Sequence, residues 1–355
     1  MTSRQNGAIG NVTGSPELVQ MAMGYSRSCV LRAAARLQVA DALGDDEHSV
    51  EELAATCGAD SPSLYRLLRA LAILGVVSEK SPGRFVLTAF GSPLRRNAPC
   101  SVWPAVVFWS DLLADSWSRL TECVKEGKTA ARVMEDEGTA SRWSKDPEAG
   151  AIFRAVMGTG PAENYAPIAR KWNFAGRKVI ADLGGGGGAL LAAVLEVAPD
   201  ASGMLVDLPA SIDAARPRFE HGDLAARCTL IAADLLETVP AGADVYMIKH
   251  VLHGRSDDKA IAILQNCRKV VPLDGRLLVI EFLLPDVVSR ADSSLESRFM
   301  SDLNMMAVTG GKERNCLEWS ALLGASGLQL VQTIPVPELE VAIIEARPEA
   351  AGGNP

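Results

Sequence analysis

Val179-Ile-Ala-Asp-Leu-Gly-Gly-Gly-Gly-Gly-Ala-Leu-Leu191 decides the fold. An apolar run with β-branched Val179 and Ile180 ends in Asp182-Leu183, five consecutive glycines follow, and Ala189 to Val194 is a strong helix former. The order reads as strand, tight turn, helix N-terminus. Glycine adopts left-handed backbone without steric cost and lets a ligand approach the N–H groups that open a helix. A flexible linker would lack the flanking apolar runs. A turn of this kind is the nucleotide-binding corner of a doubly wound α/β sheet.

Two cofactor fingerprints fit the turn. Gly184-x-Gly186-x-x-Ala189 matches a dinucleotide site, whereas Asp182-x-Gly184-x-Gly186-x-Gly188 matches an S-adenosylmethionine site. The downstream chain bears on the choice. Gly203 to Asp207 predicts a second strand that ends in an acid 19 residues after Gly188, where a carboxylate can accept both ribose hydroxyls. Cys228 to Asp234 predicts a third. Asp234 can meet an adenine amino group there, although many strands end in Asp for turn reasons. Ala243 to His250 and Gly275 to Phe282 are further strands, and Leu328–Pro335 with Leu339–Ala346 forms a closing hairpin. The predicted class is α/β: a seven-stranded doubly wound sheet with helices between its first five strands. Ligands of such sheets sit at the carboxyl ends of the strands, where Gly184, Asp207, Asp234, Lys249 and His253 all fall.

Composition bounds the alternatives. A chain of 355 residues with 48% hydrophobic and 22% charged content suits two globular domains. A net charge of −8 argues against a general nucleic-acid binder. The seven cysteines are scattered and odd in number, with no C-x-x-C pair, which fits small buried hydrophobes in a reducing cytosol. The polar N-terminus and the lack of any apolar run of about 18 residues predict neither a signal peptide nor a membrane span. Residues 1–15 and 348–355 read as disordered tails.

Pro16 to Leu43 is apolar and helix-prone, and Ser49-Val-Glu-Glu52 is a capping box for a helix through Ala55 that Gly58 stops. Asp60-Ser-Pro62 opens another helix, and Val76-Val77 with Phe85 to Thr88 predicts a hairpin. Residues 16–98 therefore read as a winged helix. A DNA-binding role would rest on Arg66 and Arg69 alone, so the arrangement favours packing or dimerisation, as does the apolar stretch from Ser26 to Val39. Residues 99–170 look helical and gather much of the chain's 5% aromatic content, either as core or as a wall for a flat ligand.

Of the four histidines, His48 and His221 lie in polar contexts. His250 and His253 follow the fourth strand, three apart, and face roughly one side of a turn. Each is a helix-cap group or, near neutral pH, a general base. Glu281 and Glu313 are available as orienting acids. The histidine spacing offers no third metal ligand, so no metal is expected.

Taken in order, Asp182 to Gly188, Val206-Asp-Leu-Pro209, Ala233-Asp-Leu-Leu236, Lys249-His-Val-Leu-His253, Gly275 to Pro285 and Gly310-Gly-Lys-Glu-Arg314 resemble the S-adenosylmethionine-dependent small-molecule O-methyltransferases of plant phenylpropanoid and bacterial polyketide or antibiotic tailoring pathways. The resemblance spans nearly the whole chain: a dimerisation domain at 16–98, a substrate-lining helical region at 99–170 and a cofactor-binding domain at 171–347. It implies a homodimer, S-adenosyl-L-homocysteine as product, and an aromatic acceptor methylated in line with His253 as base between Glu281 and Glu313. The implied cofactor residues are Asp182, Gly184, Gly186, Asp207, Leu208, Asp234, Leu235 and Lys249. The implied acceptor residues are Trp143, Phe153, Met157, His250, Met300 and Met305. The family commonly has His-Asp-Trp where this chain has His253-Gly254-Arg255, which removes an aromatic contact to adenine and a polar neighbour of the base. Relatives that have lost the histidine have drifted to decarboxylation or hydroxylation. That remains the alternative activity, and a ligand-sensing DNA-binding regulator is the non-enzyme one.

Overall fold

The computed structural model describes residues 15–133, 146–158, 161–289 and 295–349. Two compact units divide it, Met1–Ala114 and Asp115–Pro355.

In the first unit the helix-prone stretch Pro16–Leu43 forms three helices, Pro16–Ala22, Gly24–Arg36 and Val39–Leu43. The last break falls at Gln38, whose φ of 54° is left-handed and cannot continue a right-handed helix. The capping box forms: Ser49 Oγ accepts Glu52 N–H, the Glu52 carboxylate accepts Ser49 N–H, and the helix runs to Cys57. Asp60 caps Ser61–Ile73, which buries Leu64, Leu68 and Leu71. A three-stranded sheet follows from β1 (His48–Ser49), β2 (Val77–Ser81) and β3 (Arg84–Leu87), with β3 in the middle. Strand β1 was too short to read from periodicity. Trp103 belongs to this unit, donating its indole N–H to Ala35 O at 3.0 Å, and Arg36 reaches Asp111 at 2.6 Å.

The second unit is built on β4 (Val179–Leu183), β5 (Ser202–Asp207), β6 (Cys228–Ala232), β7 (Val245–Lys249), β8 (Arg276–Glu281), β11 (Leu328–Val336) and β12 (Val341–Pro348). Two short strands, β9 (Leu283–Leu284) and β10 (Arg314–Asn315), pair in parallel outside this sheet. The sheet order is β11-β12-β8-β7-β4-β5-β6, parallel except where β12 meets β8 and β11. Alternate residues feed two cores, which is why the strands read as near-continuous apolar runs. Ile180, Val245, Met247, Leu278 and Ile280 pack on one face. Ala181, Leu183, Tyr246, Ile248, Leu277 and Val279 pack on the other. Strand β12 continues through Pro348, which pairs with Leu328, so order reaches into the apparent tail. Strand order reverses between the parallel neighbours β4 and β7, and this switch point opens a crevice beyond their carboxyl ends.

Candidate active site

Strand β4 ends directly in the glycine turn. Gly184, Gly186 and Gly188 have φ of 67°, 55° and 72°, and the helix Ala189–Val197 starts at once. A Cβ on Gly184 would lie 2.6 Å from Val251 Cγ2, and one on Gly185 would lie 2.6 Å from the Asp182 carboxyl. The turn is therefore pressed against the base of the crevice, and only glycine fits. Asp207, at the end of β5, accepts Gly186 N–H at 2.8 Å and Leu208 N–H at 2.6 Å. Those bonds fix its carboxylate at the rim with lone pairs to spare.

Asp182 lies beneath the turn, 1% exposed, and neither oxygen has a hydrogen-bond partner among the described residues. Burial raises its pKa to about 7, with Lys249 opposing and Asp207 adding to the rise. Lys249 ends β7 with its ammonium over the Tyr165 ring at 5.1 Å. Burial lowers its pKa, against the attraction of Glu281 and Asp182. Asp182 thus holds its proton more tightly folded than unfolded. Its contribution to stability is present below 3.8 and lost as pH rises through about 7. Asp182→Asn, which cannot ionise, is expected to match the native protein near pH 4 and to exceed it by up to about 4 kcal/mol near pH 8.5. Urea titrations of cofactor-free protein test this, and parallel stability curves would refute it.

Beyond β7 the chain turns sharply. His250 has φ 51°, a strained conformation for a non-glycine residue. Glu281, at the end of β8 and 0% exposed, holds the turn. Its Oε1 accepts the N–H groups of Val251, Leu252 and His253 at 3.2, 3.1 and 3.3 Å, and its Oε2 lies 3.0 Å from His250 Nδ1. Burial favours protonated Glu281, yet the His253 charge and the His250 hydrogen bond bring its pKa down to about 2. Burial also lowers the pKa of His250.

His253 Nδ1 meets Glu313 Oε1 at 2.7 Å and stands 3.7 Å from Glu281. Of the two candidate acids, Glu313 is the one in hydrogen-bond contact with the ring. That contact places the proton on Nδ1 and leaves Nε2 as the basic nitrogen. Burial works against charge on His253, but Glu281 and then Glu313 outweigh it, so the imidazole pKa lies above its usual value. The His250 and His253 rings are 5.1 Å apart. Together with Glu281 they bring three potential metal donors within 4.8 Å of one another, a set the sequence spacing did not reveal.

The other predicted residues are more dispersed. Asp234 lies beyond the end of β6, accepting Leu236 N–H at 2.9 Å, and the Leu235 side chain is buried in the core, leaving only its backbone for a ligand. Phe153 and Met157 sit four residues apart on the helix Pro147–Gly158. Met300 and Met305 lie on the helix Glu296–Val308. Trp143 lies outside the described residues. A Cβ on Gly254 would meet only Val251 O at 3.7 Å, so the turn itself does not demand glycine there. Sequence reasoning missed Ser301 and Asp302. Ser301 Oγ donates to Glu313 Oε1 at 2.8 Å, and Asp302 accepts Glu313 N–H at 2.8 Å. Two polar residues in succession before a Met-rich helix face were the available signal.

A doubly wound sheet with a glycine turn and strand-end acids beside a buried histidine–carboxylate pair is the architecture of a nucleotide-cofactor site. Residues 117–329 match the O-methyltransferase domain model and residues 19–96 the O-methyltransferase dimerisation domain model. The chain is similar to a phenazine O-methyltransferase of Lysobacter antibioticus, 33% identical over 97% of this chain and 99% of that one. It is 28% identical to the phenazine-1-carboxylate N-methyltransferase of Pseudomonas aeruginosa, over 95% of this chain and 98% of that one. Among solved structures, it resembles an O-methyltransferase of neocarzinostatin biosynthesis in complex with S-adenosylmethionine and 2-hydroxy-5-methyl naphthoic acid. That match has a TM-score of 0.77 and 29% identity, covering 91% of this chain and 96% of that one. The chain belongs to the O-methyltransferase family. It is an S-adenosylmethionine-dependent methyltransferase of the secondary-metabolite tailoring type. The glycine turn, the Asp207 carboxylate and the unpartnered Asp182 beneath them fit that cofactor. Among the described residues no helix is long and apolar enough to cross a membrane.

Proposed function

We propose that the protein methylates a hydroxyl group of an aromatic secondary metabolite, with His253 as general base. The observation that carries this reading is the His253–Glu313 contact at 2.7 Å, which occupies Nδ1 and leaves Nε2 to accept a proton. A phenol is a poor nucleophile until its proton is taken, whereas a neutral amine already offers a lone pair, so a built-in base favours oxygen as acceptor. Bound S-adenosylmethionine supplies the activated methyl group. Asp207 would hold its ribose, the glycine turn its amino-acid part, Asp234 and the backbone at Leu235 its adenine, and Lys249 the ribose side. Asp182 and Leu208 complete the cofactor set. Phe153, Met157, His250, Met300 and Met305 would align the acceptor, with Met305 one helical turn from Ser301 and thus near Glu313. Glu313 would hold the imidazole tautomer and stabilise the cation formed. Leu18, Met21 and Tyr25, exposed on the first two helices, support dimerisation through the N-terminal unit.

The test is transfer from methyl-labelled S-adenosylmethionine to hydroxylated aromatics and to their amino counterparts. Label is expected in an aryl methyl ether. Label confined to the amines would reject oxygen as acceptor, and acceptor turnover with the label left on the cofactor would favour decarboxylation or hydroxylation.

A further inference from the structure

We propose that Arg314 is a positioning residue for the base, gripping the turn that carries His253 from the side opposite Glu281. The inference rests on the assignment of His253 as base. Arg314 is 1% exposed, and its charge serves no group among the proposed ligand contacts. Its Nη1 donates to Lys312 O at 3.1 Å and Leu252 O at 3.5 Å, and its Nη2 to Arg255 O at 3.4 Å. The contacts to Leu252 and Arg255 are long and individually weak. Their placement gives them meaning, because these carbonyls bracket His253. The N–H groups of Val251, Leu252 and His253 point to the Glu281 carboxylate, while carbonyls of the same turn point to the guanidinium. One buried anion and one buried cation thus hold the turn by its two kinds of backbone group.

The rest of the environment keeps that cation in place. Asp257 accepts from Nη2 at 2.7 Å and from Nε at 3.2 Å, and the Trp319 ring lies 5.2 Å from the guanidinium carbon. Strand β10 fixes Arg314 in register beside Leu283, just past Glu281. Glu313 meets the imidazole while its neighbour Arg314 meets the carbonyls of the turn, so one strap sets both. The strap approaches so closely that a Cβ on Gly311 would lie 1.9 Å from His253 O and 2.7 Å from Arg255 N.

Arg314→Lys keeps a cation but loses the fork that spans the two carbonyls. Turnover is expected to fall roughly ten- to a hundredfold, the range for a base displaced by about an ångström, with acceptor KM and S-adenosylhomocysteine affinity within a few-fold. The acid limb of the pH–rate profile is expected to move, and deuterium uptake by the 251–255 segment to rise. Unchanged turnover, pH profile and exchange would overturn the proposal, as would a loss of activity that tracks global unfolding alone. If Arg314→Lys does not fold, Asp257→Asn serves, because Asp257 is half exposed and its loss frees the guanidinium; the same changes are expected at smaller size. His253→Ala, run alongside, separates the two claims. Full turnover in that variant with raised 251–255 exchange in Arg314→Lys would overturn the base and leave the hold on the turn standing.

Discussion

His253→Ala is expected to lower turnover by roughly a hundredfold or more, the range for loss of a general base, while cofactor affinity changes by no more than a few-fold. The separation follows from geometry. The imidazole contributes Nε2 to proton removal, and its own contacts are to Glu313, more distantly to Glu281, and to the His250 ring. The cofactor contacts proposed above belong to the glycine turn and to Asp182, Asp207, Leu208, Asp234, Leu235 and Lys249, not to His253. In the native enzyme the rate should rise with pH along a limb set by the imidazole, because the protonated ring cannot accept a proton. Glu281 and Glu313 together outweigh burial and raise the His253 pKa, so the midpoint of that limb should lie above 6.5. The variant should lose the limb altogether. Asp207→Ala should show the converse pattern, with weakened cofactor binding and an unchanged limb. Calorimetric titration with S-adenosylhomocysteine beside steady-state rates across pH distinguishes the two. Undiminished turnover by His253→Ala would remove the base from its role.

How much of this was legible depends on how local each feature is. The glycine turn and the Asp207 strand end are written in stretches of a few residues and formed as read, whereas β6 stops at Ala232 and leaves Asp234 beyond it. Pro16 to Leu43 is helical as its helix-prone sequence suggests, but the breaks that divide it were not legible, since the left-handed residue at Gln38 overrides a periodicity that looks only at apolar spacing. The acid partner of His253 lay further out of reach. Glu281 and Glu313 were equally eligible on sequence, and Glu313 stands 60 residues from His253, so only the pairing of β9 with β10 decides which carboxylate meets the ring. Arg314 was visible as part of Gly310-Gly-Lys-Glu-Arg314, but its use was not. A buried guanidinium aimed at backbone carbonyls leaves no spacing signature, because its partners at Leu252 and Arg255 are main-chain atoms that any residue supplies. Leu235 marks the opposite limit: its motif position names it as a ligand contact, while β6 and the turn after it send its side chain into the core.

Glu281→Gln should be the more damaging change to the scaffold. The carboxylate accepts three backbone N–H groups and faces the Nδ1 atoms of two histidines, all at a site with no exposure to solvent. An amide has one oxygen to offer, and its NH₂ group would face a donor, so the turn must rearrange or leave polar groups unpaired. Burial alone would raise the Glu281 pKa, and its depression to about 2 measures how strongly the His253 charge, the His250 hydrogen bond and the amides favour the anion. A depressed carboxylate stabilises the fold above its unfolded value of about 4.5, and that contribution is lost as pH falls through about 2. The variant is therefore expected to be about 3 kcal/mol less stable than the native protein at neutral pH. The gap should narrow steadily below about pH 4.5, because only the native protein has this group to protonate. Urea unfolding followed at several pH values tests the claim. A gap that stays constant down to about pH 3 would show that the anion is not what holds the turn. Turnover should fall with stability here, since the amides released are those of the residues on either side of the base and of the base itself.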